Sequence, residues 1–265
     1  MSTERTLADR AVAEDVRRLA QARPLTHCIT NIVVTGFTAN VLLAIGASPA
    51  MVVAEEEAGD FAAAAAALLV NVGTVTPQDL GGMRAAARGA HAAGTPWVLD
   101  PVAVGVLGYR TEVVGELLGH APTAIRGNAS EILALAGESA GGKGVDSTAQ
   151  SAAALGAARA LAKRTGSVVA VSGIVDYVTD GAEVVAVPGG HELMGEVTGT
   201  GCALGAVIAA FLAVAPTPLD GAVAASALFA AAGERAGHES RGPGSFAGAF
   251  IDQLHLLSKG APAAS

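Results

Sequence analysis

The stretch ALLVNVGTVTPQDLGGMRAAARGAHAAGTPWVL at residues 67–99 predicts a strand, a helix and a second strand in succession. Ala67–Val72 and Pro96–Leu99 are short apolar runs with little polar alternation, which is typical of parallel strands covered on both faces. Pro77–Ala93 lies between them and is long and rich in alanine, as expected of a helix. A strand, a helix and a strand in this order indicate an α/β fold with a mostly parallel sheet.

The same alternation extends in both directions along the chain. Further strands are predicted at Leu25–Ile29, Ala50–Val53, Ala121–Ile125 and Ser167–Val171, and further helices at 7–22, Val33–Ala44, Ser130–Leu135 and Thr148–Arg164. The last third begins with a hairpin around Asp180-Gly181 and continues as helices; its segments are Val175–Thr179, Glu183–Val187, Gly201–Val214, Leu219–Ala236 and Phe246–Leu257. No linker or repeat interrupts the pattern, so we expect one domain over residues 1–265, with a disordered tail at 260–265.

The composition argues against nucleic acids and anionic membranes as partners. The chain has 265 residues and a formal net charge of −8, and only 3 % of its residues are aromatic. An acidic surface without a Lys/Arg cluster does not attract phosphate backbones, and few aromatics leave no platform for stacked bases. We therefore expect neither a nucleic acid nor an anionic membrane surface as a partner.

A membrane-spanning or exported protein is also disfavoured. The longest apolar run, around residues 202–215, is broken by Gly205 and is shorter than the roughly 20 residues that a span requires. Residues 1–23 alternate charges and lack the apolar centre of a signal peptide. Cys28 and Cys202 are too few for a disulfide framework, so we expect a reduced, cytoplasmic protein.

The segment VTGTGCALG at residues 197–205 opens a predicted helix with two glycines. Free N–H groups in a first helical turn attract anions, and the glycines allow close approach of a ligand. The other interpretation is a glycine-rich turn with a small cysteine packed in the helix, and both remain open on this segment alone. A cysteine at this position is expected to have a lowered thiol pKa.

The segment RGNASE at residues 126–131 follows a predicted strand and also opens a helix. Asn128 and Glu131 have the spacing of a capping box, which would make them structural. Alternatively, Arg126 binds a phosphate and Glu131 helps to bind Mg²⁺. The sequence at this point is compatible with both.

Three more predicted strands end in polar residues, and ligand sites of open α/β sheets lie at the carboxyl ends of strands. Asp100 follows one strand and is either a turn residue or a metal-linked carboxylate, and Ser172 follows another. Asn31 closes THCITN and either caps the next helix or contacts a ligand. His27 reads as a structural histidine, and neither it nor Cys28 has partners at zinc-site spacing.

Gly137–Lys143 matches the start of a phosphate-binding P-loop. However, Gly144 replaces the required Ser or Thr, and the segment follows a helix rather than a strand. We interpret it as a flexible loop.

Ten segments in a fixed order carry more information than any one of them. They are PLTHCITN at 24–31, FTAN at 37–40, LLAIGASPAM at 42–51, NVGT at 71–74, LDPVAVG at 99–105, AIRGNASEI at 124–132, GKGVDS at 142–147, VSGIVDYVTDG at 171–181, VTGTGC at 197–202 and GPGSF at 242–246. Together they resemble the hydroxyethylthiazole kinase family of the ribokinase-like superfamily. The resemblance implies a three-layer α/β/α fold around a central, mostly parallel sheet.

The resemblance also implies an activity, an assembly and an acceptor site. Members of the family phosphorylate the hydroxyl of 4-methyl-5-(2-hydroxyethyl)thiazole with Mg-ATP in thiamine salvage, and they form similar homotrimers with active sites at subunit interfaces. By this resemblance, Asn31, Met51 and Gly199 would line the thiazole pocket.

The phosphate-handling residues are assigned by the same resemblance. Arg126 and Ser172 would hold the ATP phosphates, where the family usually has Thr in place of Ser172, and Asp100 and Glu131 would organise Mg²⁺. Gly199, Thr200 and Gly201 would form the anion hole for the transferring phosphoryl group. Cys202 stands at the position where most ribokinase-like relatives carry an Asp base.

Two other functions compete with this one. A hydroxymethylpyrimidine kinase of the same superfamily is disfavoured by the segments HCITN and ASPAM, which are similar to those of the thiazole enzymes. A non-catalytic thiazole- or nucleotide-binding module is disfavoured by the retained Asp100, Glu131 and Cys202. The absence of an early GxGxxG segment argues against an NAD oxidoreductase.

Overall fold

The secondary structure follows the alternation of apolar runs and alanine-rich stretches. The computed structural model describes residues 2–137 and 151–260. Its strands are β1 Thr3–Glu4, β2 Leu25–Ile29, β3 Ser48–Ala50, β4 Ala67–Asn71, β5 Trp97–Asp100, β6 Ala124–Asn128, β7 Val168–Ser172, β8 Val175–Thr179 and β9 Val184–Pro188. Its helices are α1 Arg10–Ala22, α2 Thr35–Ile45, α3 Glu55–Ala64, α4 Pro77–Ala93, α5 Gly108–Leu118, α6 Ala129–Ala136, α7 Leu155–Thr165, α8 Thr200–Leu212, α9 Pro218–Glu239 and α10 Pro243–Ser258, with a 3₁₀ turn at Glu192–Met194.

The strands described form one sheet in the order β1-β9-β8-β7-β6-β5-β4-β2-β3. All neighbours pair in parallel except β7 with β8 and β8 with β9, so the predicted hairpin at Asp180-Gly181 is confirmed. The predicted strand–helix–strand unit is confirmed as well, since β4 and β5 pair in parallel with Asn71 opposite Asp100. Parallel pairing brings the carboxyl ends of β2 and β4 to β7 to one edge of the sheet.

Helices cover both faces of this sheet because neighbouring residues of a strand point to opposite sides. On β4, Leu69 packs in one apolar cluster with residues of α1, α2, α8, α9 and α10. Leu68 and Val70 pack in another cluster with residues of α3, α4 and α5. The three-layer α/β/α fold implied by the sequence is confirmed.

Two strand predictions are displaced from the observed elements. The strand predicted at Ala50–Val53 lies earlier, at β3, where Ser48–Ala50 pair with Leu25–His27 of β2. The strand predicted at Ala121–Ile125 begins only at Ala124, because Ala121 has a left-handed φ of 52° and Pro122 has no N–H to donate to a neighbouring strand.

The sequence analysis assigned no element to β1, α3 or α5. Gly59 interrupts an otherwise helix-favouring sequence within α3. It allows close helix packing, because the backbone of Gly59 lies directly against Gly89 of α4. A Cβ on Gly89 would lie 2.2 Å from Gly59 O, so a side chain at position 89 would separate the two helices. The Gly137–Lys143 loop beyond Gly137, the 142–147 segment, the start of the helix predicted at Thr148–Arg164 and the tail at 261–265 lie outside the described residues. In the part of the chain that is described, no helix is both long and apolar enough to span a bilayer.

Candidate active site

Five neighbouring strands each deliver one polar side chain to the carboxyl edge of the sheet. In spatial order from β7 through β6, β5 and β4 to β2, these are Ser172, Arg126, Asp100, Asn71 and Asn31, the last lying just beyond its strand. Strands β4, β5 and β7 are buried and apolar up to these positions, so their polar groups are held on a rigid base. The sequence reasoning placed four of the five here, and it missed Asn71.

These side chains form a continuous polar row. The guanidinium of Arg126 donates to Ser172 Oγ from Nε (3.1 Å) and Nη2 (2.9 Å), and its Nη1 lies 3.9 Å from Asp100 Oδ2. Asn71 Nδ2 donates to the same Asp100 oxygen at 2.7 Å. Asn31 Nδ2 donates to Asn71 Oδ1 at 3.1 Å and to Cys202 Sγ at 3.3 Å.

Asp100 is the electrostatic centre of the row. It is fully buried, and its Oδ1 has no hydrogen-bond partner in the described part of the chain. The pKa of Asp100 is raised to about 7, mainly by burial; Arg126 and the Asn71 amide oppose this increase, and Glu131 contributes to it. A buried carboxyl with an unused oxygen is expected to gain a positively charged or donating partner.

The N-terminus of α8 faces this row. Gly199 precedes the helix with a left-handed φ of 99°, and no side chain caps the first turn. A Cβ on Gly199 would lie 2.8 Å from Val34 Cγ1, and one on Gly201 would lie 3.0 Å from Arg126 Nη2. The backbone of the first turn therefore packs directly against the Arg126 guanidinium, while Thr200 is buried and donates its hydroxyl to Val197 O at 3.0 Å.

The predicted lowering of the Cys202 thiol pKa is wrong. Burial raises this pKa, and the charge of Asp100 adds to the increase. Arg126 and hydrogen bonds from Asn71 and Asn31 act in the opposite direction but do not reverse it. The thiol is thus neutral near pH 7, because burial and, to a smaller extent, the Asp100 charge disfavour the thiolate.

Asn128 and Glu131 form the capping box that the sequence allowed. Asn128 Oδ1 accepts from Glu131 N–H at 2.9 Å, and Glu131 Oε2 accepts from Asn128 N–H at 2.8 Å. The other carboxylate oxygen of Glu131 accepts from Ala103 N–H at 3.0 Å, where Ala103 adopts a left-handed φ of 63°. Glu131 is therefore anchored by backbone groups, and it is close enough to Asp100 to raise the pKa of that carboxyl.

The acceptor-side residues are arranged differently from the helix-cap interpretation. Asn31 does not cap α2: the N-cap position is Val34, without a side-chain cap, and the Asn31 amide is used by Asn71 and Cys202. His27 is structural, as the sequence indicated, since its Nε2 lies 2.6 Å from Val52 O and its ring packs edge-on against Phe61. Met51 is half-buried and packs against the core cluster of α1, α2, α8, α9 and α10.

Comparison with known proteins identifies the family. The family profile described as "Hydroxyethylthiazole kinase family" matches residues 16–260. The chain belongs to the hydroxyethylthiazole kinase family. It is 59 % identical over 255 residues to the hydroxyethylthiazole kinase of Leptospira interrogans serogroup Icterohaemorrhagiae serovar Lai, covering 96 % of each chain.

Solved structures agree with this membership. The hydroxyethylthiazole kinase family protein of Pyrococcus horikoshii OT3 is 40 % identical, covers 92 % of each chain and superposes with a TM-score of 0.85. A ribokinase-like superfamily protein of Enterococcus faecalis, only 15 % identical, covers 98 % of this chain and 93 % of its own with a TM-score of 0.63 and shows the shared fold. The chain thus has the ribokinase-like fold and belongs to a family of kinases, whose phosphoryl donor is ATP.

The carboxylates of this family member fit a magnesium ion that also binds phosphates. Among the described residues, no cluster of three or more His, Cys, Asp and Glu side chains could enclose a metal by itself. Mg²⁺ at phosphoryl-transfer sites needs only one or two carboxylates, because water and substrate oxygens complete its shell. The unpartnered Oδ1 of Asp100 meets that need.

Two residues of the site escaped the sequence analysis. Asn71 is fully buried between Asn31 and Asp100, and Asp176 of β8 accepts from Gly173 N–H at 2.9 Å beside Ser172. Burial raises the pKa of Asp176 to about 6, while the Gly173 N–H and Arg126 lower it. Asn71 ends β4 as Asp100 ends β5, but the predicted strand extended one residue further, to Val72, so Asn71 was not recognised as a strand end.

Proposed function

We propose that this chain transfers the γ-phosphoryl group of ATP to the hydroxyl of 4-methyl-5-(2-hydroxyethyl)thiazole, a step of thiamine salvage. The observation that carries the proposal is the polar row from Ser172 to Asn31 facing the uncapped N-terminus of α8. Cationic and anionic groups stand at one end of this row, and uncharged amides and a thiol stand at the other. The charged end suits the phosphates of ATP, the phosphoryl donor, and the uncharged end suits a neutral alcohol, the phosphoryl acceptor.

Arg126 and Ser172 hold the phosphates of ATP. The guanidinium is fixed by two hydrogen bonds to Ser172 Oγ, so its orientation is set before the nucleotide binds. Ser172 retains the hydroxyl that most family members supply with Thr. The backbone N–H groups of Gly199, Thr200 and Gly201 form the anion hole for the transferring group, because the first turn of α8 has no side-chain cap.

Asp100 and Glu131 organise Mg²⁺. Asp100 offers a buried oxygen without a partner, and Glu131 offers a carboxylate whose position is fixed by the N–H groups of Asn128 and Ala103. Mg²⁺ neutralises phosphate charge during phosphoryl transfer. Positive charge close to Asp100 also favours its ionised form.

The acceptor lies at the other end of the row, between Asn31, Met51, Gly199 and Cys202. Its oxygen attacks the γ-phosphorus while the bond to the leaving oxygen of ADP breaks, and the hydroxyl proton leaves late because the transition state is loose. Cys202 contacts the hydroxyl. Its raised pKa leaves little thiolate near pH 7, so we do not assign it the role of an obligatory base.

The active protein is proposed to be a homotrimer with active sites at subunit interfaces, each chain forming one kinase domain in the cytoplasm. Exposed apolar side chains beside the site support this assembly: Ile32, Val33 and Val106 are 77 %, 66 % and 80 % exposed. They follow β2 and β5 at the same edge of the sheet as the polar row. Apolar groups in such a position favour burial against another chain.

The test is ADP release by the purified protein with Mg-ATP and hydroxyethylthiazole, hydroxymethylpyrimidine or no acceptor. We expect strong turnover with the thiazole alone. Preference for the pyrimidine would retain the phosphate site but overturn the acceptor roles of Asn31 and Met51. Binding of thiazole or ATP without any turnover would instead favour a non-catalytic binding module.

A further inference from the structure

We propose that Asn71 is a positioning residue for the acceptor hydroxyl: it orients the Asn31 amide so that Asn31 Oδ1 remains free to accept a hydrogen bond from that hydroxyl. The inference rests on the proposed function for the acceptor site itself. It adds a residue that does not touch the acceptor, and it explains why the site would select a hydrogen-bond donor.

The orientation of the Asn71 amide is fixed from both ends. Its Oδ1 lies 2.9 Å from the backbone N–H of Gly73, which can only donate, and its Nδ2 lies 2.7 Å from Asp100 Oδ2, which accepts. Reversing the amide would place two donors together at Gly73 and two acceptors together at Asp100. Asn71 is fully buried, so water cannot relieve either repulsion.

This fixed amide determines the orientation of Asn31 in turn. Asn71 Oδ1 is an acceptor, so the group 3.1 Å away must be the donating Nδ2 of Asn31. The same Nδ2 then donates to Cys202 Sγ at 3.3 Å. Within residues 2–137 and 151–260, no hydrogen bond uses Asn31 Oδ1, which leaves this oxygen as an acceptor for a ligand.

Through Asn71, the backbone N–H of Gly73 thus determines that Asn31 presents an oxygen, and not an N–H group, to the acceptor. A ligand group next to Asn31 Oδ1 gains a hydrogen bond only if it can donate one, as an alcohol does and an alkyl group does not. Because Cys202 Sγ already accepts the Asn31 N–H, the thiol hydrogen is free to donate to the alcohol oxygen. An alcohol satisfies both groups at once.

Gly73 is required for the same arrangement. A Cβ at this position would lie 2.9 Å from both Asn31 Nδ2 and Asn71 Oδ1, within the hydrogen bond that joins them. Alanine at position 73 must therefore displace at least one amide. Gly73→Ala is a second way to disturb the orientation without removing either functional group.

The experiment is isothermal titration of two ligands without nucleotide or Mg²⁺: 4-methyl-5-(2-hydroxyethyl)thiazole and 4-methyl-5-ethylthiazole, which lacks the hydroxyl. The variants are Asn31→Ala, Asn71→Ala, their combination and Gly73→Ala. Asn40→Ala is the matched control, since Asn40 is an exposed asparagine on α2. The ratio of the two dissociation constants reports the hydroxyl alone, so a general loss of structure cancels in it.

We expect the wild type to prefer the alcohol by about tenfold, the factor that one well-made hydrogen bond provides. Asn31→Ala, Asn71→Ala and Gly73→Ala each remove most of this preference, the double variant resembles Asn31→Ala alone, and Asn40→Ala retains the preference. Such non-additivity is expected when one residue acts through another.

The inference is overturned if Asn71→Ala and Gly73→Ala keep the wild-type preference while Asn31→Ala loses it. It is also overturned if the losses from Asn31→Ala and Asn71→Ala multiply in the double variant. Both results leave the proposed function intact. A wild type that does not distinguish the two ligands would overturn the acceptor assignment and this inference together, whereas the ADP-release test addresses the reaction separately.

Discussion

Helices α6 and α8 begin at the same edge of the sheet, but their first turns differ in chemistry. At α6, Asn128 and Glu131 satisfy each other's backbone N–H groups at 2.9 and 2.8 Å. At α8, the preceding residue is Gly199, and no side chain caps the first turn. The residue at the N-cap thus decides whether a helix start is closed by its own chain or left open for an anion.

The two carboxylates of the site differ in the same way. Both oxygens of Glu131 accept backbone N–H groups. Asp100 has one oxygen without a partner in the described residues, and its pKa is raised to about 7. We infer that the fold stabilises Glu131 by itself, whereas Asp100 depends on a ligand for its stabilisation.

The largest effect is expected when the open helix start is distorted. Gly199→Ala places a Cβ 2.8 Å from Val34 Cγ1 and imposes a left-handed φ of 99° on alanine. Both effects move the first turn of α8, so we expect kcat/KM for MgATP to fall by about 10³-fold, at the upper end for loss of an anion-hole donor. Steady-state kinetics with hydroxyethylthiazole measures this.

The control for this variant is Gly94→Ala. Gly94 is the C-cap of α4, has a φ of 71°, and has open space where a Cβ would stand. The control variant carries the backbone strain without the steric clash and should remain nearly fully active. Equal losses for the two variants would show that strain alone explains the result and that the open start of α8 has no special role.

The next effect concerns the unsatisfied carboxylate. Asp100→Asn should lower kcat/KM for MgATP by about 10²-fold, because Mg²⁺ loses a carboxylate ligand and neutralises the phosphate charge less well. The same change should stabilise the ligand-free protein at pH 8, since it removes a buried charge with an unpartnered oxygen. Activity and stability thus move in opposite directions.

The pH dependence of that gain follows from the raised pKa. Between the unfolded value near 3.8 and the folded value of about 7, the folded state binds a proton that the unfolded state has lost. Stability from this group therefore falls as pH rises through that window. Thermal unfolding without Mg²⁺ should show little difference between variant and wild type near pH 4 and a variant that is more stable at pH 8; a constant difference would contradict the assignment.

Much of this comparison could be predicted from the sequence. Short apolar runs without polar alternation predicted most strands. The polar residues that follow these runs are the site candidates Asp100, Arg126, Ser172 and Asn31. The parallel register then aligned these residues at one edge, as expected for an open α/β sheet. The sequence also contained the capping box at Asn128, although it did not decide between that interpretation and metal binding.

The remaining features depend on contacts between distant segments. The sequence left Asn31 open as a cap of α2 or a ligand contact, and it did not show that Asn71, which lies 40 residues away, binds the Asn31 amide. The thiol of Cys202 was expected to have a lowered pKa, but burial raises it and the charge of Asp100 adds to the increase. In both cases the deciding surroundings come from segments distant in sequence, which the local residue pattern does not show.

A smaller effect is expected at the thiol beside the open helix start. Cys202→Ala should reduce kcat only about tenfold, because a neutral thiol supplies a contact rather than the 10²- to 10⁴-fold of a general base. Cys202→Asp should remain active, since a carboxylate can contact the same hydroxyl. Complete loss of turnover in Cys202→Ala, with both substrates still bound in equilibrium titrations, would contradict this modest role.

The smallest effect on activity is expected at the closed helix start. Asn128→Ala removes the cap of α6 and should cost about 1 kcal/mol of stability. Glu131 is still held by Ala103 N–H at 3.0 Å, so kcat and KM for MgATP should stay within about twofold. The matched control is Thr217→Ala, which removes a cap from α9, where Thr217 Oγ1 accepts from Asp220 N–H at 3.1 Å.

Thermal unfolding and MgATP kinetics on both variants decide the point. Similar losses of stability with unchanged kinetics would establish that the Asn128 cap stabilises α6 and is not needed for nucleotide binding while Glu131 keeps its bond to Ala103 N–H. A rise in KM for MgATP with Asn128→Ala but not with Thr217→Ala would mean that Asn128 serves the phosphate site by holding Glu131. The two helix starts would then be parts of one anion site, and the contrast between them would be one of degree.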